Sequence, residues 1–259
     1  MSLLVAPARG RVVAVTAIAG SAGRSVLAAN LAFELSAMGS RVCLLDLDDE
    51  WPSLHRYFGL PQNQAAVLAA MRLLEQGKLD ASALEQINVR LVAKAVSIDF
   101  LSGYGLNLNR QAMNLDSLEQ LIRYLSGRYD FVIADTSLGN KSQLLETVGA
   151  LADARLLTCQ ADPVNIGRLL EAYPALTGAE QAFLVVNRLR ASVLGAKPEL
   201  QVQQLLKERT HFTSAAIIPE DAAFDEAMLR GLPLRQVAPK SKALLAIAEI
   251  ASRLQEGRG

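Results

Sequence analysis

The chain has 259 residues, of which 51% are hydrophobic and 20% charged, enough apolar material for one large core. Its 26 basic and 26 acidic residues balance, so no global field draws it toward nucleic acid or anionic lipid. No run approaches the ~20 apolar residues of a membrane span, and the first ten residues lack the three regions of a signal peptide. These features predict a cytoplasmic protein.

Short β-rich runs alternate with helical patterns, which predicts an α/β fold: a mostly parallel sheet with helices on both faces. After a short tail, 1–10, one domain is expected over 11–256. Strand Arg11–Ala17 leads through Ile18 and Ala19 into Gly20-Ser21-Ala22-Gly23-Arg24-Ser25, and helix Ser25–Met38 follows. Next come strand Arg41–Leu47, a stretch over Pro61–Val96 that reads as helical with a break at Asp80-Ala81-Ser82, and strand Ile98–Ser102. Helix Asp116–Ser126, strand Phe131–Asp135 and helix Lys141–Ala150 precede strand Ala154–Gln160 and helix Ile166–Leu176. The remainder reads as strand Ala182–Asn187, helix Glu199–Glu208, strand Ser214–Ile218, and helices Glu220–Arg230 and Ser241–Gln255. The strands are continuously apolar, as strands covered on both faces are. Cys43 and Cys159 sit inside such runs without paired spacing, and are expected as reduced core residues.

Strand, small glycine-bearing turn and helix, in that order, present backbone N–H groups and a helix N-terminus to a phosphate chain. The expected contacts are Gly20, Ser21, Ala22, Gly23, Arg24, Ser25 and Val26. Carboxylates close nearby strands: Asp46 and Asp48 after the second, Asp135 in Phe131-Val132-Ile133-Ala134-Asp135. Ligands of open α/β sheets bind beyond the C-terminal strand ends, so these groups should converge near the loop. There they could hold magnesium through water or orient an attacking water. Each could equally be a helix cap.

These residues together resemble the ParA/MinD group of P-loop ATPases, with the nearest likeness to the TadZ/CpaE branch of tight-adherence pilus assembly. The loop matches through Gly20–Ala32, and Asp46-Leu47-Asp48 resembles the switch I carboxylates. Tyr129–Asp135 resembles the second nucleotide motif, and Val185-Val186-Asn187-Arg188 a strand end whose Asn contacts adenine. Ile218-Pro219-Glu220-Asp221 and Glu226–Leu234 are similar to the group's closing segments. The resemblance implies ATP or ADP with Mg as cofactors. It implies Asp46 and Asp48 as catalytic carboxylates, Ser25, Asp46 and Asp135 at the metal, and Asn187 at the base. It further implies a homodimer working with pilus or secretion machinery, recruited by partners to a cell pole or membrane machine.

The departures from the group bear on activity. The lysine that precedes the loop's Ser/Thr is replaced by Arg24, and the signature lysine position near the loop's start is Ala19. Arginine keeps the charge but carries a bulkier, planar fork. Missing charge stabilisation in phosphoryl transfer costs several kcal/mol of barrier, so a weakly hydrolysing or inert nucleotide-binding scaffold is expected. An active positioning ATPase is the first alternative. A Rossmann dinucleotide enzyme is the second, although Ile18 breaks its glycine pattern. An amphipathic membrane anchor after the last helix is not expected from Glu256-Gly257-Arg258-Gly259. Arg188, Arg190 and Lys197 read as ordinary solvated residues rather than a nucleic-acid patch. His55 and His211 lack ligand spacing and read as surface or hydrogen-bonding residues. Trp51 is expected either at a partner surface or as a packed loop anchor.

Overall fold

The computed structural model describes residues 9–17, 19–20, 22–61, 65–106, 113–138, 143–176, 182–190, 198–209 and 215–257. Among them, eight strands form one sheet: β1 (Arg11–Ala17), β2 (Val42–Leu47), β3 (Val89–Ala93), β4 (Val96–Leu101), β5 (Phe131–Leu138), β6 (Ala154–Gln160), β7 (Ala182–Leu189) and β8 (Ala215–Pro219). Their spatial order is β3-β4-β2-β5-β1-β6-β7-β8. Every neighbouring pair is parallel except β3 with β4. The expected mostly parallel sheet is therefore present.

The helices are α1 (Arg24–Ala37), α2 (Leu54–Tyr57), α3 (Ala66–Glu75), α4 (Ala81–Ile87), α5 (Leu115–Ser126), α6 (Gln143–Leu151), α7 (Pro163–Leu176), α8 (Pro198–Arg209), α9 (Ala223–Arg230), α10 (Leu234–Val237) and α11 (Lys242–Glu256). Local chemistry sets several starts. Asp80 accepts from the Ala83 N–H at 2.8 Å and caps α4, at the break the sequence suggests. Asn114 caps α5 through the Asp116 and Ser117 N–H groups, and Ser241 caps α11 through Leu244.

Successive strand residues point to opposite faces of the sheet, and the buried side chains divide accordingly. On one face Val13, Val15, Leu44, Phe131, Ile133, Leu156 and Val185 pack with α1, α10 and α11. On the other, Val12, Ala14, Cys43, Leu45, Val132 and Ala134 pack with α3, α4, α5 and α6. That second face continues under α7 and α8 through Leu157, Cys159, Leu184 and Val186. Both cysteines are buried and free, as expected.

The stretch 61–96 departs from its helical expectation. Among its described residues only α3 and α4 are helical; Val89–Ala93 turns back through Lys94, whose φ is 57°, to pair antiparallel with β4. Its side chains alternate between partly buried and exposed up to Ala93, the pattern of an edge strand with one covered face. Two strand ends also run longer than expected. β5 continues past Asp135 to Leu138, and β7 past Asn187 to Leu189, with a register irregularity between Val186 and Leu189 and a φ of 58° at Arg188. Residue 214 of the expected last strand and residues 141–142 of an expected helix lie outside the described residues, as do Ser21, Lys197 and His211.

Candidate functional site

The C-terminal ends of β1, β2, β5 and β7 meet at one place. β1 delivers the chain to the loop. Gly23 takes φ 76° and ψ 23° immediately before α1, a left-handed conformation that glycine adopts without a Cβ penalty. Space makes the same demand, because a Cβ there would stand 2.2 Å from Asn187 Nδ2. Asn187, buried on β7, donates Nδ2 to the Ala22 carbonyl at 2.9 Å. Loop and β7 are thus joined by a hydrogen bond that only a residue without a side chain permits. Val26 and Ser25 follow in the first turn of α1, partly buried, and Gly20 is exposed.

Arg24 opens α1 and turns inward, 8% exposed. Its Nε donates to Asp135 Oδ1 at 2.7 Å, and its Nη2 to Asp48 Oδ2. Burial works against the guanidinium charge, but Asp135 and Asp48 outweigh it and raise its pKa. Its third nitrogen, Nη1, is buried without a hydrogen-bond partner. Asp48 is held by more than the arginine, since its Oδ1 accepts from the N–H groups of Glu50 and Trp51, each at 3.0 Å.

Asp46 lies beside Asp135 in register across β2 and β5, yet it does a different task. Oδ2 accepts the Leu54 N–H at 3.0 Å and Oδ1 faces the Asp48 N–H at 3.4 Å. It therefore ties the start of α2 to β2, the capping alternative that the sequence leaves open for each carboxylate. Complete burial pushes its carboxyl well above the usual range, and Asp135 adds to the rise. Burial also raises Asp135, against the opposing pull of Arg24 and Ser25.

The set expected around magnesium was Ser25, Asp46 and Asp135. The structure instead unites Arg24, Asp48 and Asp135, with Ser25 next to Asp135, and leaves Asp46 anchoring backbone. Magnesium asks for nearly ideal octahedral oxygen ligation, through one or two carboxylates plus phosphate. Here one oxygen of Asp48 holds backbone N–H groups, the other holds Arg24, and Asp135 Oδ1 holds Arg24 as well. Asp135 Oδ2 is left without a hydrogen bond, and a divalent cation on it would stand against a guanidinium already joined to that carboxylate. The residues as arranged do not fit a resident magnesium ion.

Beside the loop a cavity of about 360 Å³ opens between Gly23, Val26 and Leu27, Asn187 and Arg188, the chain from Ile218 to Met228, and Ile247 of α11. Its size is that of a small-molecule site. The walls formed by Phe224, Met228 and Ile247 are not identifiable as such from the sequence; only Met228 lies within a motif-like segment, Glu226–Leu234. Further along α1, outside the cavity lining, Asn30 Nδ2 donates to Tyr57 Oη at 3.3 Å and Asn30 Oδ1 accepts the Leu234 N–H at 2.7 Å.

Other expectations are corrected or narrowed. His55 is not a surface or hydrogen-bonding residue: it is 2% exposed, neither ring nitrogen has a hydrogen-bond partner, and its ring meets Tyr104 edge-on at 5.6 Å. Trp51 is 78% exposed, so it is no packed anchor. Arg188 and Arg190 both pair with Glu220, at 3.8 and 2.7 Å, which removes them from any free basic patch. Among the described residues no helix is long and apolar enough to cross a membrane.

A glycine loop between β1 and α1, carboxylates at the ends of β2 and β5, and this strand order define a P-loop NTPase fold of the ParA/MinD type. Solved structures agree. The chain aligns with MinD complexed with Mg-ADP from Pyrococcus horikoshii at TM-score 0.75 and 20% identity, covering 96% of this chain and 98% of that one. It aligns with a ParA family ATPase from Chlorobium tepidum at TM-score 0.77 and 20% identity, covering 94% and 98%. Among relatives by sequence, a putative septum site-determining protein MinD of Guillardia theta is 27% identical over 232 residues, 86% of this chain and 80% of that protein. The antiactivator FleN of Pseudomonas aeruginosa is 26% identical over 254 residues, 94% and 86% respectively. Within this class the chain belongs to the family of the cellulose biosynthesis protein BcsQ, whose profile matches residues 11–254.

Proposed function

We propose that this protein is a nucleotide-binding assembly or localisation factor of the ParA/MinD type, with weak or no hydrolysis. Its loop and neighbouring cavity would take ATP or ADP. The observation that carries the reading is the engagement of Arg24 with Asp48 and Asp135. In an active loop a lysine is available to the β- and γ-phosphates; here the corresponding cation is buried against two carboxylates. Asp46, proposed as catalytic from the sequence, already holds the Leu54 N–H. Asp48 is the better candidate to sense a nucleotide, because its ion pair lies at the loop. Asn187 and the cavity beside Gly23 supply the base side.

The family description supports a role with cellulose-synthesis machinery. The TadZ/CpaE likeness drawn from the motifs taken together would assign the protein to pilus assembly instead. In either setting it would act as a homodimer, brought to a membrane machine by partner proteins, with Trp51 exposed beside the site as a candidate contact.

Calorimetric titration with ATP and ADP, coupled to a phosphate-release assay, tests the biochemical reading. Saturable binding is expected in the wild type, weakened at least ~10-fold, or about 1.4 kcal/mol, in Arg24→Ala. Turnover should be at background, and should rise when lysines are placed at both positions, in Ala19→Lys/Arg24→Lys. Wild-type turnover that Arg24→Ala abolishes would instead establish an active ATPase. Co-purification from cells making cellulose or tight-adherence pili separates the two machines.

A further inference from the structure

Arg24 has two ion pairs that the nucleotide reading uses and a third nitrogen that it leaves unexplained. Its guanidinium has three nitrogens with three different fates. Nε is on Asp135 at 2.7 Å, Nη2 is on Asp48, and Nη1 is buried without any partner. A buried guanidinium N–H left unpaired is costly, because the desolvation of a charged donor is then uncompensated. The two bonds that are made hold the fork in one orientation, so the third donor is fixed as well. A lysine could not produce this arrangement, since its ammonium is one point of charge on a flexible stem.

The same geometry that makes magnesium a poor fit makes the arginine a good substitute. A divalent ion in a phosphate site joins protein carboxylates on one side to phosphate oxygens on the other. Arg24 already makes the carboxylate half of that bridge, and Nη1 is a charged donor of the type that binds phosphate oxygen strongly. We infer that Arg24 is the resident cation of this site: it keeps Asp48 and Asp135 while Nη1 donates to a phosphate oxygen, so that a nucleoside diphosphate binds without a divalent metal. This rests on the reading of the loop as a nucleotide site. It deepens that reading by stating which cation the site uses.

The test is ADP titration of the full-length wild type by calorimetry, once with magnesium and once with EDTA. Equal affinity within about twofold is expected. Arg24→Lys, which frees the carboxylates, should bind ADP more tightly with magnesium than with EDTA by at least ~10-fold. Equilibrium dialysis of Mn²⁺ in the presence of ADP gives a readout independent of affinity. The wild type should retain no more Mn²⁺ than ADP alone does, and Arg24→Lys should retain about one more equivalent. Magnesium-dependent binding by the wild type, or Mn²⁺ retention lost in Asp135→Asn, would overturn the inference and leave the nucleotide reading standing. No ADP binding by the wild type in either buffer would overturn both. Because the wild-type comparison decides the matter, a poorly folding variant does not remove the test.

Discussion

His55 carries a charge decision that its surroundings have already made. The ring is enclosed, packed edge-on against Tyr104, and neither nitrogen meets an acceptor or donor. Burial lowers its pKa below the ordinary histidine value, and neighbouring Arg56 adds to the effect. The native state therefore binds fewer protons than the unfolded chain at mildly acidic pH, and stability must fall as pH drops. The contribution is whole above the unfolded value of about 6.5 and is lost as pH falls through the depressed native one. For one proton the slope cannot exceed about 1.4 kcal/mol per pH unit. His55→Phe keeps the aromatic edge and removes the proton. The difference in urea unfolding free energy between wild type and variant should be constant above pH 7 and shift in the variant's favour toward pH 5. A pH-independent difference would mean the ring finds a partner in solution.

At the scale of elements, α1 is both the helix behind the loop and the one that gathers the C-terminal third of the chain. Glu34 on α1 is 2% exposed at its side chain and takes a two-pronged ion pair from Arg235 of α10, at 2.8 and 2.9 Å. One turn earlier Asn30 accepts the Leu234 N–H. Removing the arginine strands a buried carboxylate, whereas removing the charge on Glu34 frees an arginine that reaches solvent. Arg235→Ala should therefore cost about 1–3 kcal/mol in urea unfolding, and Glu34→Gln less. The double variant should lose less than the sum of the two; strict additivity would show that the pair is not coupled in solution. None of this pairing could be read from the sequence, because 201 residues separate the partners and neither lies in a motif. The strands were legible for the opposite reason: continuous apolar runs need no knowledge of a partner to be recognised. β3 was missed because Val89-Arg90-Leu91-Val92-Ala93 is too short to establish a period, and only the β4 edge makes it a strand. The site divides in the same way. Arg24, Asp48, Asp135 and Asn187 were visible through motif position, but which carboxylates the arginine would take depended on the strand register. Asp46 lost its expected place at the metal because the loop after β2 returns Leu54 to it.

For the whole molecule, the question is whether the two wings of the sheet open together. β1 sits at the middle, paired with β5 on one side and β6 on the other. One apolar cluster runs across it, joining Leu44 and Ile133 to Leu156, Val185 and Ile218 through α1 and α11. The opposite face is divided, with Cys43 in one cluster and Cys159 in the other. Each half thus contains its own thiol reporter. Burial raises both thiols, with help from Asp99 at Cys43 and Asp162 at Cys159, the latter up to about 12. Neither should react at pH 8 in the native state, because the thiolate is the reacting form. Cys43→Ala and Cys159→Ala each leave a single reporter, whose labelling rate across a urea series gives the opening free energy of its half. The continuous cluster predicts that each rate yields the same free energy as global unfolding of that variant, in keeping with one cooperative unit over 11–256. If Cys159 labels through an opening several kcal/mol cheaper than global unfolding while Cys43 does not, β6–β8 form a separable unit. Asn187 and half of the cavity would then detach from the loop without the rest of the protein unfolding.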